Sequence, residues 1–257
     1  MTLLRKHPPG LLKKVSLTVG LILSGATLGL LLLLSYPQPL FPWSVHVNNL
    51  ALYSDQAFSS EDGKQVLELA QVKLARSPLY SPRDSYAVFV CNSDWRRMTF
   101  CFADIKAGAL SYYPLSSNVF LSGAVIKENR LISPSGRSDI LSRTLDHFIV
   151  HEITHVLTGK SIGGWRLYYL PTWIKEGYAE YIARGGAFNY DKAAQAFLVG
   201  SPDMDVPPSV PYLRYTLIIT YLLEKEHWSL TKLFGTSISQ GEVEMRLKAE
   251  VVQGSGE

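Results

Sequence analysis

One run of apolar residues is longer than any other in the chain, since residues 15–35 contain no charged side chain. As a helix this run would be about 30 Å long, the thickness of the hydrocarbon core of a bilayer, and it predicts one transmembrane helix. A cleavable signal peptide is the alternative, but its apolar part is usually shorter and ends in small residues at the cleavage site. Leu33, Leu34 and Tyr36 do not fit that pattern, so we favour an uncleaved signal anchor.

Charged residues on the two sides of this helix predict its orientation. No lysine or arginine occurs in residues 36–63, whereas four precede the helix: Arg5, Lys6, Lys13 and Lys14. Because positive charge marks the cytoplasmic side, we expect residues 1–14 to form a basic cytoplasmic head and the folded region to be extracytoplasmic at the cell membrane. Three prolines lie in residues 36–42. Proline disfavours helices and internal strands, so we interpret residues 36–59 as a linker.

Residues 60–138 combine helix and strand signals. The sequence Ser59-Ser60-Glu61-Asp62 is typical of a helix start, and apolar residues continue at helical spacing until Ser77-Pro78. Two short runs rich in β-forming residues follow, at 86–91 and at 118–125. This part of the chain therefore predicts a mixed α/β lobe.

Residues 139–257 have the spacing of helices instead. The apolar periodicity predicts a helix over 138–158 that ends at Gly159. Pro171 suits the first turn of a second helix, which runs to about Arg184. Residues 212–223, after Pro211, predict a core helix because the run is too short to cross a bilayer. Together the two halves predict an α+β fold with a helical second lobe.

The amino-acid composition argues against two classes of protein. Apolar residues make up 47% of the chain and charged residues 18%, so a disordered protein is excluded. The net charge of +3 divides into +4 for residues 1–35, which hold no acidic residue, and −1 for the remainder, from 21 basic and 22 acidic residues. A nucleic-acid-binding protein is therefore not expected. Cys91 and Cys101 fit either a disulfide in an exported domain or two buried thiols.

The helix over 138–158 carries the sequence His151-Glu152-Ile153-Thr154-His155. Histidines four residues apart lie one turn apart on the same face, so both imidazoles can reach one zinc ion. A carboxylate at Glu152 would lie beside that ion and could accept a proton from a coordinated water molecule, whose pKa the metal lowers. A catalytic zinc also needs a third protein ligand and an open position. The second helix offers a carboxylate, Glu176, twenty intervening residues after His155.

These two motifs together resemble the gluzincin metallopeptidases, the clan of thermolysin and the zinc aminopeptidases. Their H-E-x-x-H sequence is followed by a glutamate, often within W-x-x-E-G-x-A, and this chain has Trp173-Ile174-Lys175-Glu176-Gly177-Tyr178-Ala179. The resemblance implies a gluzincin-like fold, a Zn²⁺ cofactor held by His151, His155 and Glu176, and Glu152 as the general base. It also implies that Glu180, one turn after Glu176, orients a ligand histidine. His147 is interpreted as a buried or rim histidine.

The same resemblance implies two further parts of a peptidase site. One is a sheet edge beside the metal to which an extended substrate adds, and the run at 118–125 is the candidate. The other is a tyrosine or histidine that stabilises the oxyanion; Tyr212 ranks first and Tyr215 second, with aromatic packing as the alternative for both. Gly177 would allow the two helices that carry the ligands to approach closely.

We therefore expect a single-pass membrane-anchored zinc peptidase that cleaves a peptide or protein substrate on the extracytoplasmic side. The alternative hypothesis is a noncatalytic module that keeps the fold and binds a partner at the membrane surface. Zinc content and the effect of Glu152→Gln on peptide hydrolysis distinguish the two.

Overall fold

The structure is a computed structural model of the chain and describes residues 9–132, 143–204 and 212–254. Its helices are α1 (Pro9–Ser35), α2 (Ser60–Leu74), α3 (Asp94–Phe100), α4 (Leu145–Ile162), α5 (Thr172–Ala183), α6 (Tyr190–Leu198), α7 (Leu213–Thr220), α8 (Leu230–Gly235) and α9 (Gln240–Gly254). Its strands are β1 (Trp43–Val47), β2 (Leu50–Ser54), β3 (Tyr86–Val90), β4 (Ala109–Ser111), β5 (Val119–Leu121), β6 (Ala124–Val125) and β7 (Arg130–Leu131). The predicted α+β class is confirmed.

Helix α1 contains the predicted apolar run, and its segment Ser16–Ser35 is long and apolar enough to cross a membrane. Side chains 16–30 are exposed, but Leu34 near the end of the helix is fully buried in the folded region. The Leu34 carbonyl accepts hydrogen bonds from Ser116 Oγ at 2.9 Å and from Asn118 Nδ2 at 2.8 Å. The carbonyl groups in the last turn of a helix have no hydrogen-bond partner within the helix. Here the folded region supplies the partners, so the end of α1 is bonded to the domain.

Five strands form one mixed sheet in the order β1-β2-β3-β5-β4. Strands β2, β3 and β5 are parallel to one another, and β1 and β4 pair antiparallel at the two edges. Interpreting residues 36–59 as a linker was wrong, because β1 and β2 lie within that range. Leu50, Leu52 and Ser54 are buried at every second position of β2. This alternation is typical of a strand and outweighs the nearby prolines.

The predicted edge strand over 118–125 was also wrong. Strand β5 pairs with β3 on one side and with β4 on the other, and all three of its residues are buried, as expected for an internal strand. Residues Ala124–Val125 belong to a separate two-stranded sheet with β7. The sheet edge on this side is β4, which the sequence analysis did not identify.

Helix α4 lies at the centre of the molecule, and all its residues from Leu145 to Gly159 are buried. It begins seven residues later than the predicted 138, after Thr144 as the N-cap; residues 138–142 lie outside the described part of the chain. The prediction that Gly159 ends it was wrong, because the helix continues to Ile162 and Gly163 is the C-cap, with φ of 90°. Gly159 instead makes room for the Tyr113 ring, which packs directly against its backbone.

The other predicted elements are confirmed with small shifts. Helix α2 follows Ser59, whose Oγ accepts a hydrogen bond from the Glu61 amide at 3.2 Å. Strand β3 covers the first β-rich run, and α5 begins after Pro171. Helix α7 and the π-helix that follows it, Tyr221–Lys225, match the predicted core helix. Pro211 lies outside the described residues.

Side chains on the two faces of the sheet enter two different cores. In β3, Val88 and Val90 face a large core formed with the helices, whereas Phe89 faces a smaller aromatic core. Leu34 of α1 belongs to this smaller core, as do Cys91 and Cys101. Both cysteines are buried and unbridged, and a hydrogen bond to Cys101 raises the pKa of the Cys91 thiol.

Candidate metal centre

Three predicted ligand side chains from two helices meet at one point. His151 and His155 lie one turn apart on α4, and their Nε2 atoms are 3.1 Å apart. Glu176 on α5 faces both, with its Oε2 atom 3.2 Å from His151 Nε2 and 3.5 Å from His155 Nε2. The structure therefore brings these three residues together as the sequence predicted.

The spacing of these donor atoms fits a tetrahedral zinc site. Donors bound to zinc at about 2.0–2.1 Å in tetrahedral geometry lie about 3.3 Å from one another. The three measured separations of 3.1, 3.2 and 3.5 Å scatter around this value. Two imidazole nitrogens with one carboxylate oxygen are also a donor set found in catalytic zinc sites. The residues therefore fit the metal ion that the sequence predicted.

The charges around His151 favour a cation at this point. Burial lowers the pKa of His151, but Glu176 and Glu180 outweigh this effect and raise it to about 10. Burial in turn raises the pKa of Glu176, yet the neighbouring histidines hold it well below its usual value. Carboxylates that stabilise a proton on an imidazole also stabilise a positive metal ion in the same place.

Glu180 is completely buried, one turn after Glu176 on α5. Its Oε1 atom lies 3.2 Å from His151 Nδ1. The same oxygen accepts a hydrogen bond from Arg143 at 2.7 Å and lies 3.2 Å from His147 Nε2. Glu180 thus contacts the ring nitrogen of His151 that faces away from Glu176, where a residue that orients this ligand is expected.

His147, His151 and Glu180 form a second group whose donor atoms are close enough to hold a cation. The Arg143 guanidinium already contacts this carboxylate, so positive charge is present there. A metal ion is therefore disfavoured in the second group. His147 is buried, as the sequence analysis interpreted it.

Glu152 lies beside His151 on α4 and faces a cleft. Its Oε2 atom accepts a hydrogen bond from Ser111 Oγ at 2.9 Å. Ser111 is the last residue of the edge strand β4. Sequence reasoning missed this contact, because the two residues are 41 positions apart and no motif links them. Arg143 was also missed, because its partner Glu180 is 37 positions away in the chain.

The cleft has a volume of about 320 Å³. We call His151, His155 and Glu176 the triad. The triad and Glu152 line the cleft together with the edge of β4 and Tyr212. The remaining lining residues come mainly from the loop before β4 and from the start of the second helical lobe: Asp104, Ala107, Gly108, Tyr113, Arg143, Phe148, Leu167, Tyr168 and Lys175. The edge strand and the predicted metal ligands are therefore open to the same space.

Of the two predicted tyrosines, Tyr212 is the one that lines the cleft. Its ring centroid is 6.3 Å from that of His151, and burial raises the pKa of its hydroxyl, which keeps its proton at neutral pH. The Tyr212 backbone has φ of 37°, a strained value for a residue with a side chain. Tyr215 stacks on the Tyr212 ring at 5.7 Å.

The close approach predicted at Gly177 is present, but it joins α5 to α7 rather than to α4. A Cβ atom on Gly177 would lie 2.7 Å from Ile219 Cγ1 and 2.9 Å from the Tyr215 carbonyl oxygen. The missing side chain therefore allows α7, with Tyr215 and Ile219, to pack next to the helix that carries Glu176.

Comparison with known proteins found no protein-family model and no curated protein that matches this chain.

Proposed function

We propose that this chain is a zinc peptidase of the gluzincin type, held at a membrane by α1. The main support is the triangle of donor atoms from His151, His155 and Glu176, with spacings of 3.1, 3.2 and 3.5 Å, at the base of a cleft. Glu152 lies next to this triangle and faces the same cleft. A metal site with an adjacent carboxylate and an open side is the arrangement that metal-assisted hydrolysis requires.

His151, His155 and Glu176 would hold the zinc ion, which when bound lowers the pKa of water and polarises a carbonyl oxygen. Glu152 accepts the proton of the attacking water and passes it to the leaving nitrogen of the peptide. Ser111 holds the Glu152 carboxylate in position through its 2.9 Å hydrogen bond. The Tyr212 hydroxyl donates a hydrogen bond to the oxyanion of the substrate.

The edge of β4 provides a main-chain binding site for the substrate. Its neighbour β5 is paired on both sides, so β4 is the strand whose outer side faces the cleft. A peptide in extended conformation adds to such an edge by backbone hydrogen bonds, which are independent of side-chain identity. This binding mode places a peptide bond near Glu152.

Helix α1 is proposed to remain attached as an anchor, with residues 1–14 in the cytoplasm and the catalytic domain outside the cell membrane. Support comes from the burial of Leu34 in the aromatic core and from the hydrogen bonds of Ser116 and Asn118 to the end of α1. A signal peptidase that removed α1 would also remove Leu34 and open this core. An uncleaved anchor avoids that loss.

The proposal is tested with the purified full-length protein in detergent micelles. We expect about one zinc ion per chain and cleavage of peptides from a mixed library. Glu152→Gln should keep the zinc and lower kcat/KM by about 10²–10⁴-fold, because it removes the proton acceptor but no ligand. Glu128→Gln, at an exposed glutamate outside the cleft, is the matched control and should leave hydrolysis unchanged.

Two results would contradict the peptidase proposal. One is a protein without bound zinc, and the other is unchanged hydrolysis in Glu152→Gln. Stoichiometric zinc with no cleavage of any library peptide would instead support a noncatalytic binding module.

A further inference from the structure

Two segments beside the cleft expose large apolar and aromatic side chains. The first covers residues 94–106, the second is the 3₁₀ helix Gly164–Tyr169, and Leu115 lies between them. We call their exposed side chains the aromatic rim: Trp95, Met98, Phe102, Ile105, Leu115, Trp165, Tyr168 and Tyr169. Exposed apolar residues that are grouped in this way usually mark a contact surface rather than chance exposure.

Contacts of residues 112–116 connect the aromatic rim to the end of α1. The Phe102 ring stacks on Tyr112 with centroids 5.1 Å apart, and Tyr112 shares the aromatic core with Leu34. The Tyr168 hydroxyl donates a hydrogen bond to the Tyr113 carbonyl at 2.9 Å. Both parts of the rim are therefore attached to the short segment that ends in Ser116, which bonds the Leu34 carbonyl.

The domain also touches α1 inside the segment that is able to span a membrane. That segment runs from Ser16 to Ser35, yet Leu33 is already half-buried against the aromatic core and Leu34 is fully buried within it. If Ser16–Ser35 lies in the hydrocarbon core, the domain surface around the last turn of α1 lies at the level of the lipid headgroups. Residues 112–116 attach the aromatic rim to this end of α1.

The chemistry of the rim fits this position. Tryptophan and tyrosine are enriched at membrane–water interfaces because their rings are apolar and their N–H or O–H groups bind water and headgroups. The rim contains two tryptophans and two tyrosines among its eight side chains. Exposed apolar side chains on or next to other helices, such as Val72, Val199 and Met245, are not aromatic and are separated from one another in the chain.

We propose that the aromatic rim inserts into the headgroup region of the bilayer that α1 enters. The cleft then opens at the membrane surface, because Tyr168 of the rim and Asp104 beside it also line the cleft. The substrate class that fits is a polypeptide segment close to the membrane. The membrane contact rests on the anchoring part of the proposed function alone, whereas the substrate class also rests on the peptidase part.

Site-specific photocrosslinking of the full-length protein in liposomes of phosphatidylcholine and phosphatidylglycerol tests the inference. The photoreactive residue p-benzoylphenylalanine is placed at Met98, Phe102 or Trp165, one position at a time. Controls at Val72 and Val199, which are 71% and 78% exposed, sample the domain surface away from the rim. A control at Leu28, on the exposed face of α1, samples the bilayer core.

We expect lipid adducts at all three rim positions, about tenfold more than at Val72 and Val199, together with adducts at Leu28. Adducts at Leu28 with only control levels at the rim would overturn the inference while leaving the anchor intact. Crosslinks from the rim to a second copy of the chain instead of lipid would also overturn it. Absence of lipid adducts at Leu28 and at the rim would overturn the anchor and this inference together.

Zinc content and peptide cleavage are measured on the same samples. Zinc content and peptide cleavage test the peptidase proposal independently of the lipid adducts, because none of the substituted positions is a triad residue or Glu152. Loss of lipid adducts with full peptidase activity therefore identifies a failure of the membrane contact alone.

Discussion

At the scale of single residues, the candidate centre depends on how carboxylates are held. Glu176 contacts His151 Nε2, Glu180 lies on the other side of the same ring, and Glu152 contacts Ser111. Glu176 and Glu180 contact opposite nitrogens of the same imidazole, but Glu180 also contacts Arg143, whereas Glu152 accepts a hydrogen bond from a serine. Glu180 contacts Arg143 and Arg184, so it is unsuited to bind a metal ion. Glu152 lines the cleft, and its partner is the neutral hydroxyl of Ser111.

Ser111 is predicted to position Glu152. Ser111→Ala should lower kcat of peptide hydrolysis by about tenfold with little change in KM, because one hydrogen bond to a charged group contributes about 1.5 kcal/mol or more. Zinc content should be unchanged, and Ser111→Thr should restore most of the rate since it retains the hydroxyl. The control is Ser44→Ala, an exposed serine of β1. A kcat equal to that of the unchanged protein would contradict this role for Ser111.

Glu180 is predicted to support both the metal site and the fold. Glu180→Gln should weaken zinc binding by about 10–100-fold, as expected for the loss of a partner of a ligand histidine. It should also lower the free energy of unfolding by about 3 kcal/mol, because the buried ion pair between Arg143 and Glu180 is broken. Chelator competition and thermal unfolding measure the two effects. Glu224→Gln, at an exposed glutamate, is the control, and equal effects of the two changes would refute the prediction.

The sequence was sufficient to predict those site residues that lie at a fixed spacing on a helix. His151, Glu152 and His155 follow from one helical turn, and Glu176 follows from a second motif. Ser111 and Arg143 were not predicted, because their contacts with Glu152 and Glu180 join distant parts of the chain. Such contacts depend on tertiary packing, for which a single sequence holds no local signal.

At the scale of elements, α1, α2, α4, α5, α7 and β3 were predicted from the sequence, whereas the other four helices and the order of the strands were not. Long helices have a sustained periodicity, and caps such as Ser59 and Pro171 mark their starts. Strand β4 has only three residues, too few to show an alternation. The order of strands in the sheet is also set by pairing between distant segments. For this reason β5 was mistaken for the edge, and the strands in residues 43–54 were assigned to a linker.

The ion pair between Lys73 of α2 and Asp146 of α4 is predicted to stabilise the contact between these helices. Its atoms are 2.6 Å apart, and Asn129 Nδ2 donates a further hydrogen bond to the Asp146 carboxylate at 2.6 Å. Asp146→Asn should lower the free energy of unfolding at pH 7 by about 2 kcal/mol, because the charged partner of Lys73 is lost. Denaturant titration of both proteins measures the difference.

The effect of Asp146 should depend on pH in a defined direction. Burial raises the pKa of Asp146, but the hydrogen bond from Lys73 and the other polar contacts outweigh it, and the net shift is downward. Because the pKa of Asp146 is lower in the folded protein, its carboxylate stabilises the fold fully at pH values above the unfolded-state pKa of about 3.9. This stabilisation is lost as the pH falls through the folded-state pKa. The difference between the two proteins should therefore shrink below about pH 4. A difference that grows on acidification would contradict the assignment.

At the scale of the whole molecule, α1 is part of the domain as well as an apolar helix. Its last turn fills the aromatic core on one face of the sheet, and the large core lies on the other face. Helix α1 and the cleft are thus connected through β3, β5 and β4, which belong to one sheet. The sequence predicted the helix from its length, but its burial at Leu34 follows only from the tertiary structure.

Leu34 and Leu32 provide a matched test of this connection. Leu34 is fully buried, whereas Leu32 on the same helix is 52% exposed. Leu34→Ala should lower the free energy of unfolding of the domain by about 3 kcal/mol through the cavity it leaves, and Leu32→Ala should have little effect. Thermal unfolding of the full-length protein in detergent measures both. Equal stability of the two variants would show that α1 is not packed into the core.

The central claim is that His151, His155 and Glu176 bind one zinc ion. The most direct measurement is a crystal structure of the full-length protein with anomalous diffraction recorded on both sides of the zinc absorption edge. We predict one anomalous peak per chain within about 2.0–2.2 Å of both histidine Nε2 atoms and a Glu176 carboxylate oxygen. A structure of zinc-supplemented protein with no peak there, or with Glu176 turned away from both imidazoles, would contradict the claim.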